Sequence, residues 1–98
     1  MIDIKIEYLK GKFNSLYIKG HSDDNLVCAG VSSILVGGLN NLETKNYDIS
    51  IVEGDSYCKS KKEISLHDET VLETIIIQLE TIAQSYKKEV KLKKEKLK

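Results

Sequence analysis

Residues 16–31, Leu16-Tyr17-Ile18-Lys19-Gly20-His21-Ser22-Asp23-Asp24-Asn25-Leu26-Val27-Cys28-Ala29-Gly30-Val31, change period halfway. Before Gly20 the segment is rich in β-forming residues centred on Leu16, Tyr17 and Ile18, which predicts a strand over about Asn14–Lys19. Ser22-Asp23-Asp24-Asn25 then offers N-cap side chains. From Leu26 the apolar residues fall at helical spacing: Val27, Val31, Ile34, Leu35, Leu39 and Leu42. A strand that hands over to a helix within one short polar turn places the chain among folds that mix the two.

Working outward, Ile2, Ile4, Ile6 and Tyr8 alternate with Asp3, Lys5 and Glu7, a half-buried strand. Lys10-Gly11-Lys12 reads as the turn joining it to the second strand, with Phe13 at the return. Tyr47, Ile49 and Ile51 predict a third strand, Glu53-Gly54-Asp55 a turn, and Ser56–Ile64 a fourth strand with lysines on its exposed side. Ser65 followed by Asp68 resembles a capping box. A second helix follows over about Leu66–Tyr86, with a wide apolar stripe through Val71, Leu72, Ile75, Ile76, Leu79, Ile82, Ala83 and Tyr86. Val90 and Leu92 alternate with lysines and fit a short edge strand, where lysine discourages edge-to-edge pairing. Gly37-Gly38 inside the first helix costs about 1 kcal/mol per glycine relative to alanine. The pair marks either close packing or a bend.

The expected architecture is an α+β two-layer sandwich, ββαββα with a possible last strand. Two helices cover one face of a mostly antiparallel sheet of four to five strands. Residues 1–92 form the single domain, and residues 93–98 form a basic, frayed tail.

Composition narrows the function. Ninety-eight residues hold one two-layer core, so a site is shallow, at an edge or shared with a second subunit. Fifteen basic and fifteen acidic residues cancel, which argues against a general nucleic-acid binder. The absence of arginine removes the bidentate clamp for phosphate, and no phosphate-binding glycine motif is present. The N-terminus alternates where a signal peptide would be continuously apolar, and no apolar stretch is long enough to span a bilayer. Two cysteines without a secretory signal imply a reducing, cytoplasmic setting and free thiols.

Chemistry concentrates at His21 and Cys28. Cys28 falls in the first turn of the first helix, where unpaired N–H groups and the helix dipole favour a thiolate and can hold an oxyanion. His21 closes the preceding strand, and one tight turn of six residues brings its imidazole toward the sulfur as base and then acid. Asp23 and Asp24 either orient that imidazole or cap the helix. The residues alone leave two readings of Cys28, a nucleophile or a small buried side chain that packs. A metal set of His21, Cys28, Cys58 and His67 matches no common zinc spacing. Cys58 reads as a strand residue and His67 as a surface residue at a helix start, and no cofactor is called for.

The pattern Gly20-His21, a polar loop, then Val27-Cys28-Ala29-Gly30-Val31-Ser32 resembles the ribosomal-processing cysteine protease family, Prp or YsxB-like. The resemblance spans nearly the whole chain. It implies a Cys/His dyad with Cys28 as nucleophile and His21 as general base, and Ser32, Asp24 and Asn25 as supporting residues. It also implies a homodimer whose substrate is the N-terminal extension of large-subunit ribosomal protein L-twenty-seven, removed during ribosome maturation. Three features depart from the family pattern: a shorter loop between histidine and cysteine, Asn25 where aspartate is usual, and Ser22 where alanine is usual. A ribosome-associated binding module of the same fold without activity is the competing expectation, and a dimerisation domain is a third.

Overall fold

The first strand, β1 (Ile2–Leu9), sinks Ile2, Ile4 and Ile6 into the core and turns Asp3, Lys5 and Glu7 to the opposite face. The computed structural model describes residues 1–97. Lys10 and Gly11 both take positive φ, 53° and 78°, a two-residue turn whose twist suits antiparallel strands. Strand β2 (Lys12–Gly20) returns beside β1 with Ile4 opposite Ile18 and Ile6 opposite Leu16. Helix α1 (Asn25–Leu39) follows, then a 3-10 turn at Thr44–Asn46, β3 (Tyr47–Ser50), β4 (Asp55–Ser60), helix α2 (Leu66–Ser85) and β5 (Val90–Leu97).

The sheet runs β3-β4-β2-β1-β5, with every pair antiparallel except β1 with β5. The isoleucines of β1 and Leu16 and Ile18 of β2 meet Val27, Val31, Leu35 and Leu39 of α1 and Leu72, Ile75, Ile76 and Leu79 of α2 in one buried cluster. Both helices therefore cover the same face. On the open face Lys59 stands over the rings of Tyr17 and Tyr57, and Lys5 over Tyr17. The α+β two-layer expectation holds, including the last strand.

The larger departures from the sequence reading are three. Strand β3 stops at Ser50, which leaves Ile51 and Val52 outside it, 48% and 59% exposed. Strand β4 ends at Ser60 rather than Ile64, because its partner begins at Tyr47, which pairs with Ser60. The expected frayed tail is instead strand: β5 pairs along the whole of β1, from Ile2 opposite Val90 to Leu9 opposite Leu97. Alternation lets its lysines reach solvent or an acid, as in Lys94 with Glu80 at 3.2 Å and Lys93 with Glu95 at 2.9 Å. The sheet thus continues past the expected boundary at residue 92, and Lys98 lies outside the described residues. Among the described residues no helix is long and apolar enough to cross a membrane.

Gly37 and Gly38 separate cleanly. A Cβ on Gly38 would stand 2.4 Å from Cγ1 of buried Ile75, so this glycine lets α1 and α2 approach, whereas Gly37 faces open space. Gly37→Ala is expected to raise stability by about 0.5–1 kcal/mol through helix propensity. Gly38→Ala is expected to lower it by about 1–3 kcal/mol through overpacking. Denaturant midpoints of the two variants that move in the same direction would contradict this packing.

Candidate active site

Strand β2 ends on a glycine that nothing else can replace. Gly20 has φ of 97°, and a Cβ there would come within 2.2 Å of the Met1 carbonyl oxygen. Its amide donates to the Gly54 carbonyl at 2.9 Å. The next residue, His21, is exposed at the strand end, and its carbonyl accepts from the Met1 amine at 2.6 Å. The imidazole lies directly against Gly54: a Cβ on that residue, whose φ is 80°, would stand 2.5 Å from Nε2. The turn between β3 and β4 therefore forms a floor under the ring, and only glycine leaves room for it.

Asp24 caps α1, its Oδ1 accepting from the Leu26 amide at 2.9 Å and its carbonyl from the Cys28 amide at 3.2 Å. Of the two roles open to it, capping is the one it performs. The cap starts the helix where Val27 is buried and Cys28, one residue on, is half-buried at the surface. The Cys28 thiol donates to the Ser22 carbonyl at 3.3 Å. Among the described residues no hydrogen bond joins it to His21, and the amides of Asn25 and Val27 meet no acceptor.

His21, Cys28 and Ser32 line one cavity of about 260 Å³, walled by Val31, Leu35 and Val36 of α1 and by residues 51–56. The volume suits a side chain or two of an extended peptide rather than a whole small-molecule ligand. Exposed Ile51, Val52 and Val36 give it an apolar rim. Wider hollows elsewhere, among them one on the open sheet face beside Tyr17 and one between the helices beside Leu66, carry no cysteine. Asp24 and Asn25 are not part of the cavity wall. The residues that the sequence reading missed are Gly54 and the apolar pair Ile51-Val52. Glu53-Gly54-Asp55 was legible as a turn, but nothing local says that it packs on His21.

Cys58 and His67 stand apart. Cys58 is fully buried on β4 among the core side chains, and burial, with the negative charge of Asp48, pushes its thiol up to about 12. His67 is exposed at the start of α2, its Nδ1 2.9 Å from Oδ1 of buried Asp68. Ser65 does cap α2, its Oγ accepting from the Asp68 amide at 3.1 Å. The Asp68 carboxylate does not return the bond. It accepts from the Tyr47 hydroxyl at 2.9 Å and the Glu43 amide at 3.3 Å, tying α2 to β3.

With this geometry in view, the family model for cysteine protease Prp matches residues 1–91. The ribosomal processing cysteine protease Prp of Staphylococcus aureus is 27% identical over 93 residues, covering 85% of this chain and 88% of that protein. The crystal structure of the S. aureus protease with a covalently linked product peptide is similar with a TM-score of 0.86 at 28% identity, covering 96% of this chain and 99% of that one. A protein from Streptococcus mutans shares the fold, with a TM-score of 0.79 at 20% identity, over 99% of this chain and 96% of that one.

Proposed function

The chain belongs to the cysteine protease Prp family, and from that premise we propose that it removes the N-terminal extension of ribosomal protein L-twenty-seven through Cys28 and His21. The observation that carries this is their placement on one cavity wall, with the imidazole seated on Gly54 and the thiol at the start of α1. The S. aureus relative holding a covalently linked product peptide supports a covalent route.

An extended peptide lies against the apolar rim and presents a carbonyl to Cys28. His21 takes the thiol proton, and the sulfur adds to the carbonyl carbon. Amides near Cys28 hold the oxyanion, those of Asn25 and Val27 being the unoccupied ones. The C–N bond breaks as His21 returns its proton to the leaving amine. Water, deprotonated by His21, then hydrolyses the thioester, which releases the carboxylate and restores the thiol.

A peptide spanning the extension tests the assignment: wild type should cleave it once, while Cys28→Ala and His21→Ala should not. The thiol resting on Ser22 rather than on His21 gives the inactive binding module its one point of support. That alternative stands if the wild-type protein binds the peptide without cleaving it. We also assign a homodimer, which exposed Leu66 and Ile77 on α2 support as uncovered apolar surface. Light scattering at the monomer mass would remove that assignment.

A further inference from the structure

Ser22 is the residue through which the Cys28 turn is fastened, and its fastening comes from the far end of the chain. Its hydroxyl donates to the carboxylate of Glu89 and accepts from the Asp24 amide at 3.0 Å. Its carbonyl accepts the Cys28 thiol proton. Ser22 is itself buried, so these bonds form away from competing water. Glu89 works from a fixed base: its carbonyl accepts from the Ile2 amide at 2.8 Å and its amide donates to the Tyr86 carbonyl at 2.9 Å. It lies between α2 and β5 and is not part of the cavity wall. No ion pair engages its carboxylate among the described residues.

We infer that Glu89 is a positioning residue for the reaction: through Ser22 it holds the carbonyl to which the resting Cys28 S–H is hydrogen-bonded, in place of a bond to His21. The inference rests on Cys28 being the nucleophile. A carbonyl oxygen is a good partner for S–H and a poor one for S⁻, so the contact must break before the proton passes to His21. The tether thus sets how readily the thiol is released. Only Ser22, Asp23 and Asp24 lie between His21 and α1, and Ser22 and Asp24 are both hydrogen-bonded, so the turn has little freedom to move aside and Ser22 sets where the Cys28 thiol rests.

The test is alkylation of Cys28 by iodoacetamide at pH 7, read by peptide mass spectrometry, together with kcat and KM on the extension peptide. Glu89→Ala and Ser22→Ala should each raise the Cys28 alkylation rate about fivefold, the scale of one modest hydrogen bond. Both should change kcat while KM, set by the apolar rim, stays in place. Glu89→Gln keeps an acceptor for the Ser22 hydroxyl and should behave as wild type. Gly38→Ala, which loosens the fold away from this turn, should leave alkylation unchanged. Wild-type alkylation in Glu89→Ala would overturn the inference. So would equal acceleration in Glu89→Gln, which would mean that charge acts through space, or in Gly38→Ala, which would mean general loosening. If Cys28→Ala still cleaves, the nucleophile assignment fails, while alkylation of Cys28 across the Glu89 series still reports on the tether.

Discussion

Replacing Cys28 with alanine is expected to lower cleavage of the precursor peptide by at least about 10⁴-fold, because among the described residues no other thiol lines the cavity. His21→Ala should cost about 10²–10⁴-fold, the usual range for a general acid–base. The double variant should be scarcely worse than Cys28→Ala if the two residues act as the proposed dyad. Cys58→Ala is the internal control. Cys58 is buried in the core with its thiol pushed to about 12, so it is neither reachable nor ionised near neutral pH. Cys28 should therefore alkylate far faster than Cys58, and cleavage should survive the loss of Cys58. Mass spectrometry of the peptide products reads both results. Cleavage by Cys28→Ala above a tenth of the wild-type rate would remove Cys28 from the reaction.

The second large effect belongs to Asp68 and concerns stability. Burial works to raise the pKa of this carboxyl, but the His67 and Tyr47 side chains and the Glu43 amide outweigh it, and the net direction is downward. The same contact and burial push the Tyr47 hydroxyl up, burial contributing most. Asp68→Ala strands a buried Tyr47 hydroxyl and the Glu43 amide, and is expected to cost about 2–4 kcal/mol. At about 4–8 °C per kcal/mol for a domain of this size, Tm should fall by roughly 8–32 °C. The folded carboxyl binds a proton less readily than the unfolded one. Its contribution is therefore fully present above about pH 4, the unfolded range, and is lost as pH falls through the lower folded value. Asp68→Asn keeps the hydrogen bond from Tyr47 and should lie between the two, with a shallower loss of Tm on acidification. Thermal unfolding at pH 7 and pH 3 checks this. An Asp68→Ala protein as stable as wild type would show that the Tyr47 contact contributes nothing.

What could be read from the sequence and what could not divide along physical lines. Period-two and helical spacing reflect burial within one element, so Ile2-Ile4-Ile6, Val27-Val31-Leu35-Leu39 and the α2 stripe announced their elements and their core faces. Caps are local chemistry, so Asp24 and Ser65 were legible as well. Strand order is decided by pairing between distant segments, and nothing in Val90–Leu97 says that it lies parallel to β1. Its lysines looked like a solvated tail because alternate positions of an edge strand tolerate charge. The candidate site divides in the same way. His21 and Cys28 stand on one short turn and were found together. Gly54 and Glu89 reach that turn from elsewhere in the chain, and their role depends on contacts with no local signature. Asp68 passed for half of a capping box because its partner, Tyr47, sits on a distant strand, β3, rather than on its own helix.

The parallel pairing of β5 with β1 has a consequence for synthesis. During translation the first strand emerges early and pairs with β2 at once through a tight hairpin, since local contacts form fastest. Its other edge has no partner until β5 has been made, because the fifth strand lies beside the first. His21 and Cys28 belong to the early part of the chain, and Glu89 arrives only with the closing strand. A nascent chain that has His21 and Cys28 but not yet β5 lacks the fastening on Ser22, so the turn before Cys28 is set only once Glu89 and β5 have been made.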